Sequence, residues 1–241
     1  MSPQPKILVI IPAYNEAENI GSVIDEIIAT GLPQDPLVID DGSLDRTTEV
    51  ARAHGARVVR LPLNLGIGGA VQTGFKFARD NGYDIAIQID GDGQHIPSEL
   101  PILLDVLHRK QADLCIGSRY IGERQYHTPL ARRLGMLVFT AVNSLLIGQR
   151  VTDNTSGFRA YNRRAIEFLS RYYPTDYPEP EVVVILGRSG FRIQERAVKM
   201  RPRHSGESSI SSWGAVYYMI KVLLAITVDV FKVYRQVGAQ A

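Results

Sequence analysis

The sequence has little cysteine, little net charge and no long apolar run. Cys115 is the one cysteine in 241 residues, which excludes a disulfide framework and a cysteine-based metal site and is typical of a reducing compartment. No stretch reaches the roughly 18 uninterrupted apolar residues of a membrane-spanning helix, so none is predicted. The 27 basic and 25 acidic residues nearly balance and create no strong field for nucleic acid. We therefore expect a globular chain that does not bind nucleic acid.

The first residues, 1–6, show no charged segment followed by an apolar one, so we expect no targeting sequence and a cytoplasmic chain. A chain of 241 residues is long enough to bury one sizeable core. No internal repeat or low-complexity segment interrupts it. We expect an α/β domain over residues 1–209 and a C-terminal extension over residues 210–241.

Short apolar runs alternate with helix-like segments in the first half of the chain. The predicted strands are 6–11, 37–39, 57–61, 85–89 and 114–117. The predicted helices are 16–30, a segment from 43 or 44 to 54, a segment ending at 81, and 97–110. Asn15 is predicted to cap the first helix and Gly31 to close it. Four strand–helix units in about 110 residues predict a mostly parallel, doubly wound sheet with right-handed crossovers.

The segment Asp90-Gly-Asp-Gly-Gln-His95 follows the apolar strand 85–89. Residues two apart on an extended chain point the same way, so Asp90 and Asp92 present two carboxylates on one side. Hard oxygen ligands beside glycines suit Mg²⁺ or Mn²⁺ shared with a phosphate-bearing substrate. Taken alone, the same residues equally describe a turn, because aspartate and glycine are common turn residues.

Other polar segments also follow predicted strands. Asp40 and Asp41 come after strand 37–39, and Pro12-Ala-Tyr-Asn-Glu16 closes strand 6–11. Parallel strands end at one edge of a sheet, where open α/β sheets bind ligands. This convergence favours a site over a simple turn. The glycines of segment 64–70 do not match a dinucleotide fingerprint, and close helix packing or a helix N-terminus facing phosphate explains them better.

The second half of the sequence is less regular. We predict a helix from Ala131 to about Ile147, a polar loop over 152–161 that enters a strand, a loop over 174–181 before a helix that ends at Gly187, and a strand over 192–200. The glycine and serines of 201–209 suggest a mobile flap. A last helix, 213–235, is amphipathic, with its few charges on one stripe. It suits a membrane interface, a partner groove or core packing, and its aromatic ends favour the interface.

Five motifs occur in the order found in one known family. They are Pro12-Ala-Tyr-Asn-Glu16, Asp40-Asp-Gly-Ser43 with Asp45, Asp90-Gly-Asp-Gly-Gln-His95, Ser118-Arg119 and Ser156-Gly-Phe-Arg159. The chain thereby resembles family 2 glycosyltransferases over most of residues 6–209, and within them the dolichyl- or polyprenyl-phosphate sugar synthases. The resemblance implies the GT-A fold, a nucleotide-sugar donor, Mg²⁺ or Mn²⁺, and inverting transfer to a polyprenyl phosphate.

The resemblance also implies roles for particular residues. Those expected at the nucleotide base and ribose, with Asp90 behind them, are Pro12, Tyr14, Glu16 and Asp41. Those expected to bind the metal are Asp92 and Gln94. Those expected to grip the acceptor phosphate are Arg119 and Arg132. Arg203 is expected to close on the donor from the flap, and the sugar pocket is expected at Ser156 and Gly157. The usual Asp-Ala-Asp of the family is Asp-Gly-Asp here, which keeps both carboxylates.

The chemistry of the acceptor decides whether a general base is needed. A lipid phosphate is already anionic, so it needs positioning by arginines more than it needs a base. A sugar hydroxyl of a glycan or glycolipid would need one. The candidate bases are Asp153, Asp176, Glu179 and Glu181, of which Asp153 lies beside the Ser156 motif, although a role in capping that loop is equally expected.

Two further expectations concern function and location. A module that binds nucleotide sugars or scaffolds a membrane without turnover is a third interpretation, and the complete set of carboxylates and arginines argues against it. The enzyme is expected at the inner face of the membrane as a peripheral protein. It would reach the membrane surface through its last helix or through a small membrane protein, and it is a possible homo-oligomer.

Overall fold

The computed structural model describes residues 4–32, 34–121, 140, 142–201 and 221. These residues form a sheet whose seven described strands run in the order β3-β2-β1-β4-β6-β5-β7. The strands are β1 (Ile7–Ala13), β2 (Gln34–Asp40), β3 (Arg57–Arg60), β4 (Ile85–Gln88), β5 (Leu114–Ser118), β6 (Arg159–Asn162) and β7 (Ile193–Ala197). The predicted α/β class is confirmed.

Helices cover both faces of this sheet. They are α1 (Ile20–Ala29), α2 (Thr47–Ala53), α3 (Gly66–Asp80), α4 (Leu100–His108), α5 (Arg163–Leu169) and α6 (Pro178–Arg188). A short 3₁₀ turn, Pro97–Glu99, leads into α4, and residues 142–147 are also helical. Buried residues of α3, α5 and α6 form a core on one face of the sheet, and those of α1, α2 and α4 form a core on the other.

Strand β1 shows why the sheet has two apolar faces. All seven of its residues are buried, and alternate side chains enter different cores: Leu8 and Ile10 one, Val9 and Ile11 the other. This is the pattern of a central strand that is covered on both faces. Full burial of each such side chain contributes about 1.5–3 kcal/mol to folding.

Strand direction decides which loops meet. The strand pairs β1–β2, β1–β4, β2–β3 and β5–β7 are parallel, whereas β6 lies antiparallel between β4 and β5. The predicted mostly parallel sheet is therefore confirmed. Because β6 runs in the opposite direction, it begins at the edge where β4 and β5 end. The segment just before β6, residues 156–158, is thereby brought to the same edge as Asp90 and Arg119.

The first two helices begin later than predicted. Asn15 does not cap α1, which starts at Ile20. Instead, Asn15 has a left-handed backbone (φ 55°), and its Oδ1 accepts the N–H of Leu44 at 2.8 Å. Helix α2 starts at Thr47, whose N–H is accepted by the Asp45 carboxylate at 3.0 Å. Contacts between the two loops thus replace the first turn of each predicted helix. Gly31 does close α1, with a left-handed backbone (φ 66°).

The segment 174–181, predicted as a loop, already contains the first turn of α6. Pro178 is the first residue of that helix, where the missing N–H of proline has no cost. Glu181 accepts the N–H of Tyr177 at 3.2 Å and so stabilises the start of the helix. The strand predicted over 192–200 is shorter, although Met200 still forms a single bridge with His95.

The glycines that follow β3 serve close packing, as one of the two predicted explanations requires. A Cβ at Gly68 would lie 2.6 Å from the backbone oxygen of Pro174. Glycine at this position therefore lets α3 touch the backbone of the segment before α6.

Several predicted features lie outside the described residues. They are Arg132, Arg203, most of the predicted flap 201–209, the first part of the predicted helix 131–147 and nearly all of the last helix 213–235. In the part of the chain that the structure describes, no helix is long and apolar enough to cross a membrane.

Candidate active site

The loops after β1, β2 and β3 are joined by hydrogen bonds at the carboxyl edge of the sheet. Asn15 N–H donates to Ser43 Oγ at 2.9 Å, and Glu16 N–H donates to Thr47 Oγ1 at 2.9 Å. Asp41 Oδ1 accepts the N–H of Leu65 at 2.7 Å. The predicted convergence of the polar segments at one edge is therefore what the structure shows.

The residues expected at the nucleotide differ in exposure. Pro12 and Asp41 are buried, and the Asp41 carboxylate holds the β3–α3 loop through the bond to Leu65. Tyr14 is 44% exposed, and Glu16 accepts a hydrogen bond from the Asn19 side chain at 2.8 Å. Tyr14 and Glu16 are thus accessible to a ligand, whereas the Asp41 carboxylate is already bonded to the β3–α3 loop. Their contacts with a nucleotide remain predictions.

Asp90 lies at the centre of the charged residues at this edge. Although 36% of its side chain is open to solvent, loss of hydration raises its pKa to about 7, and the charge on Asp92 adds to the rise. The positive charges of Arg159 and Arg119 oppose this rise in pKa, and Glu16 reinforces it. The Asp90 carboxylate therefore interacts electrostatically with residues that follow β1, β4 and β5 and with the first residue of β6.

His95 supports Asp90 from the same loop. Its Nδ1 accepts the backbone N–H of Asp90 at 3.1 Å, so in the neutral ring the proton is on Nε2, which lies 3.8 Å from Asp90 Oδ2. The ring stacks on Phe158 with centroids 5.1 Å apart. Burial lowers the pKa of His95 to about 4, which keeps the imidazole neutral at physiological pH.

Asp92 and Gln94 fit the predicted metal site as a partial ligand set. Both are partly exposed, and Asp92 Oδ1 accepts the N–H of Gln94 at 3.0 Å, which fixes the two residues relative to each other. No group of three or more His, Cys, Asp or Glu residues suited to a metal occurs among the described residues. Two hard oxygen ligands without a full protein cage fit an ion such as Mg²⁺ that takes its other ligands from phosphate and water.

Arg119 is held by Asp153. The Asp153 side chain, fully shielded from solvent, accepts bonds from Arg119 N at 3.0 Å, Nε at 2.8 Å and Nη2 at 2.8 Å. Arg119 Nη2 also donates to Thr155 Oγ1 at 2.8 Å. A buried carboxylate that is engaged in a bidentate ion pair is not available to take a proton from a substrate. This geometry argues against Asp153 as a general base and favours the loop-fixing role that the sequence also predicted.

The other three candidate bases differ in exposure and in their interactions. Asp176 is exposed, and Glu181 is engaged at the start of α6. Glu179 lies close enough to Arg159 and Asp90 to interact with both electrostatically. Loss of hydration raises the pKa of Glu179, with opposition from Arg159 and reinforcement from Asp90. Glu179 is therefore linked electrostatically to two of the charged residues at this edge of the sheet.

The two residues predicted to shape a sugar pocket, Ser156 and Gly157, lie in the loop before β6. Ser156 is buried and donates from Oγ to the backbone oxygen of Gly117 at 2.7 Å. A Cβ at Gly157 would lie 2.6 Å from Asp90 Oδ2. These contacts bring the loop before β6 against the ends of β4 and β5.

Comparison with known proteins decides the family. The profile described as "Glycosyl transferase family 2" matches residues 8–169. The chain belongs to this family. It is 32% identical over 216 residues to the undecaprenyl-phosphate mannosyltransferase of Micrococcus luteus, covering 86% of this chain and 88% of that one. It is 29% identical over 213 residues to the UDP-N-acetylglucosamine–dolichyl-phosphate N-acetylglucosaminyltransferase of Methanococcus voltae, covering 80% and 84%.

A solved structure agrees on the fold of this family 2 glycosyltransferase. Glucosyl-3-phosphoglycerate synthase from Mycobacterium tuberculosis, crystallised with Mn²⁺, uridine diphosphate and phosphoglyceric acid, superimposes with a TM-score of 0.70 at 24% identity. The match covers 94% of this chain and 78% of that one. The predicted GT-A fold, the resemblance to polyprenyl-phosphate sugar synthases and the assignment as a hexosyltransferase are confirmed.

Two residues of this glycosyltransferase were not singled out individually from the sequence. Arg159 is fully buried; its Nε and Nη2 donate to the backbone oxygens of Ser156 at 2.6 Å and Asn154 at 2.9 Å, so it shapes the loop before β6. Glu195 in β7 accepts the N–H of Asp153 at 2.7 Å. The signal for Arg159 was its place as the last residue of the Ser156-Gly-Phe-Arg159 motif. Glu195 gave no signal, because its partners are more than 40 residues away in the chain.

Proposed function

We propose that this glycosyltransferase moves a hexose from a nucleotide sugar to a polyprenyl phosphate, with inversion at the transferred carbon. The observation that carries the proposal is the pairing of two kinds of group at one sheet edge: the Asp90–Gln94 loop, which suits a metal-bound diphosphate, and Arg119, a cation fixed in place beside it. The electrostatic interaction between Asp90 and Arg119 supports their proximity. The names of the bacterial and archaeal relatives support an undecaprenyl- or dolichyl-type acceptor.

The donor half of the site is built from β1, β2 and β4. In this proposal Tyr14 and Glu16 contact the nucleoside, and Asp41 fixes the neighbouring loop and closes the ribose side. Asp92 and Gln94 hold a divalent cation, Mg²⁺ or Mn²⁺, which when bound neutralises charge that builds up on the departing nucleoside diphosphate. Gly157 and Ser156 line the sugar pocket, and Arg203 is proposed to bind the donor.

The acceptor half requires orientation more than proton transfer. A phosphate monoester is already anionic near neutral pH and can attack the sugar carbon without a base. Arg119 offers a charge-assisted donor for one phosphate oxygen, and Arg132 is its proposed second partner. The acceptor lies in a membrane, so we assign residues 1–209 to catalysis and residues 210–241 to contact with the membrane surface or with a small membrane protein.

Transfer to a sugar hydroxyl is the second candidate function, and Glu179 favours it. Its carboxyl interacts electrostatically with Arg159 and Asp90, and burial raises its pKa above the ordinary value of a glutamate. If Glu179 takes a proton from the acceptor, the chain transfers to a hydroxyl. If the acceptor is a phosphate, Glu179 is dispensable for proton transfer.

The donor can be identified by stabilisation of the folded protein. Nucleotide sugars that bind the native state raise its unfolding temperature, and at a given concentration a tighter ligand raises it more. We expect one class of nucleotide sugar to stabilise the wild-type protein when Mn²⁺ or Mg²⁺ is present and to stabilise Asp92→Asn much less. If no nucleotide sugar stabilises the protein with either ion, the proposed donor class is wrong.

A further inference from the structure

Two carboxylates, those of Asp153 and Glu195, hold Arg119 in place. Asp153 accepts hydrogen bonds from Arg119, and Glu195 accepts one from the backbone of Asp153. Asp153 accepts two guanidinium bonds and the backbone N–H of Arg119 at 2.8–3.0 Å. Such bidentate, charge-assisted bonds fix the plane of a guanidinium as well as its position. Since the Asp153 side chain is fully shielded from solvent, water does not compete for these bonds.

Asp153 is in turn held from strand β7. Glu195 Oε1 accepts the N–H of Asp153 at 2.7 Å, and Glu195 Oε2 accepts the N–H of Thr152 at 2.8 Å. The hydroxyl of Thr152 lies 3.0 Å from both oxygens of Glu195 and 3.3 Å from Ser118 Oγ. The Glu195 carboxylate therefore binds the backbone N–H groups of two consecutive residues, Thr152 and Asp153. It thereby fixes the backbone from which the Asp153 side chain extends.

The fold explains why Glu195 can do this. Strand β7 lies parallel beside β5, and Glu195 pairs with Ile116, two residues before Ser118. Arg119 follows directly where β5 ends. The Glu195 side chain therefore extends from β7 to residues 152 and 153, close to the end of β5. Its backbone is held in place by the regular pairing of β7 with β5.

We propose that Glu195 and Asp153 are positioning residues, which act in sequence to orient Arg119 for an anionic acceptor phosphate. The inference rests on the proposed function, because it assumes that Arg119 binds the acceptor. Neither carboxylate touches the substrate in this arrangement. Glu195 orders residues 152–153, Asp153 orders the guanidinium, and the ordered guanidinium meets the phosphate without first losing side-chain freedom.

The test is a double-mutant cycle on the KM for a polyprenyl phosphate. Glu195→Gln keeps the size of the side chain but replaces one accepting oxygen by an amide that cannot accept the backbone N–H. We expect it to raise the acceptor KM about tenfold and to leave the donor KM unchanged, since the loss of a charged acceptor has an effect of this order. In an Arg119→Ala background, Glu195→Gln should add little, because a residue that acts through Arg119 has nothing left to orient.

Controls separate positioning from general damage. Glu167→Gln makes the same chemical change on α5, at a side chain that is 42% exposed, and should leave both KM values unchanged. Asp153→Asn should raise the acceptor KM, as Glu195→Gln does. A lower acceptor KM for Asp153→Asn would overturn the inference, because it would mean that Asp153 competes with the phosphate for Arg119.

The remaining outcomes distinguish the inference from the proposed function. If Arg119→Ala raises the acceptor KM but Glu195→Gln does not, or if the two effects are additive, the positioning role is wrong and the function stands. If Arg119→Ala leaves the acceptor KM unchanged, the phosphate-binding role of Arg119 is itself wrong. Equal rises in donor and acceptor KM for Glu195→Gln would indicate a general loss of structure and would overturn the inference.

Discussion

Gly157 lies against the carboxylate of Asp90 so closely that a Cβ there would be 2.6 Å from Oδ2 and 2.8 Å from Oδ1. The requirement for glycine is one of space, since the backbone of Gly157 is not among the left-handed conformations of the chain. The contact joins the loop before β6 to the loop after β4. It therefore connects the proposed sugar pocket to the proposed diphosphate site.

Gly157→Ala should weaken donor binding without unfolding the protein. The added methyl group must displace the Asp90 carboxylate, which is partly exposed and can move toward solvent. We expect the affinity for the nucleotide sugar, measured by titration calorimetry with Mn²⁺, to fall by about tenfold or more, the effect of losing one good interaction in a site. Unchanged affinity at an unchanged unfolding temperature would show that the position of Asp90 does not matter to the donor.

Asp90 and His95 make opposite contributions to the pH dependence of stability. The raised pKa of Asp90, about 7, means that the native state holds a proton that the unfolded chain releases near pH 4, so this contribution to stability is lost as the pH rises towards about 7. The lowered pKa of His95, about 4, means that the unfolded chain takes up a proton first, so this contribution is lost as the pH falls from about 6.5 towards about 4. The two slopes oppose each other over nearly the same window.

Single substitutions should therefore reveal the separate contributions of Asp90 and His95 to the pH dependence of stability. In urea unfolding without metal, Asp90→Asn should become more stable, relative to the wild type, as the pH rises from about 4 to about 7. His95→Asn should show the reverse trend relative to the wild type as the pH rises from about 4 to about 6.5. If both differences are independent of pH across this range, neither group titrates as its surroundings require.

Removal of the metal should abolish transfer and weaken diphosphate binding. Chelation with EDTA should have the same effect as Asp92→Asn, because both remove the cation that neutralises the leaving group. We expect kcat to fall by about a hundredfold or more, consistent with several kcal/mol of charge stabilisation. Asp105→Asn, at an exposed helix position, is a matched control that should retain full activity. Full activity of Asp92→Asn in EDTA would contradict the metal role.

Glu179→Gln should report the class of acceptor. With a phosphate acceptor no base is needed, and kcat should remain within about tenfold of the wild type. With a hydroxyl acceptor, loss of a general base should lower kcat by about 10²–10⁴-fold. The pH profile of kcat provides a second measurement, because a base with a raised pKa would give an acid limb that disappears in Glu179→Gln. A loss of the larger size would overturn the phosphate acceptor.

The overall fold was predictable because the spacing of apolar residues and the order of strands and helices can be read from short segments of the sequence. The apolar runs that became β1, β2, β4 and β5 lie between helix-like segments, and a strand–helix alternation leads to a mostly parallel sheet. Helix starts were less predictable. Asn15 bonds to the loop after β2 rather than capping the predicted helix, and the two loops meet only after the sheet has formed.

The site was predictable where it depended on strand ends and unpredictable where it depended on partners across the sheet. Asp90 and Asp92 could be placed at the carboxyl edge from the strand that precedes them. The engagement of Asp153 with Arg119, 34 residues away, is set by the relation between β5 and the loop before β6, which no spacing reveals. The sequence therefore did not show that Arg119 engages Asp153, or that Glu195 lies behind Asp153.

The most direct test of the proposed function uses the purified full chain, a labelled nucleotide sugar chosen by thermal stabilisation, Mn²⁺ or Mg²⁺, and two acceptors in parallel: a polyprenyl phosphate and a polyprenyl-linked sugar without a free phosphate. We predict a labelled lipid product with the polyprenyl phosphate alone, and a raised KM for that acceptor in Arg119→Ala. Transfer to the lipid-linked sugar with no transfer to the polyprenyl phosphate would contradict the proposed function.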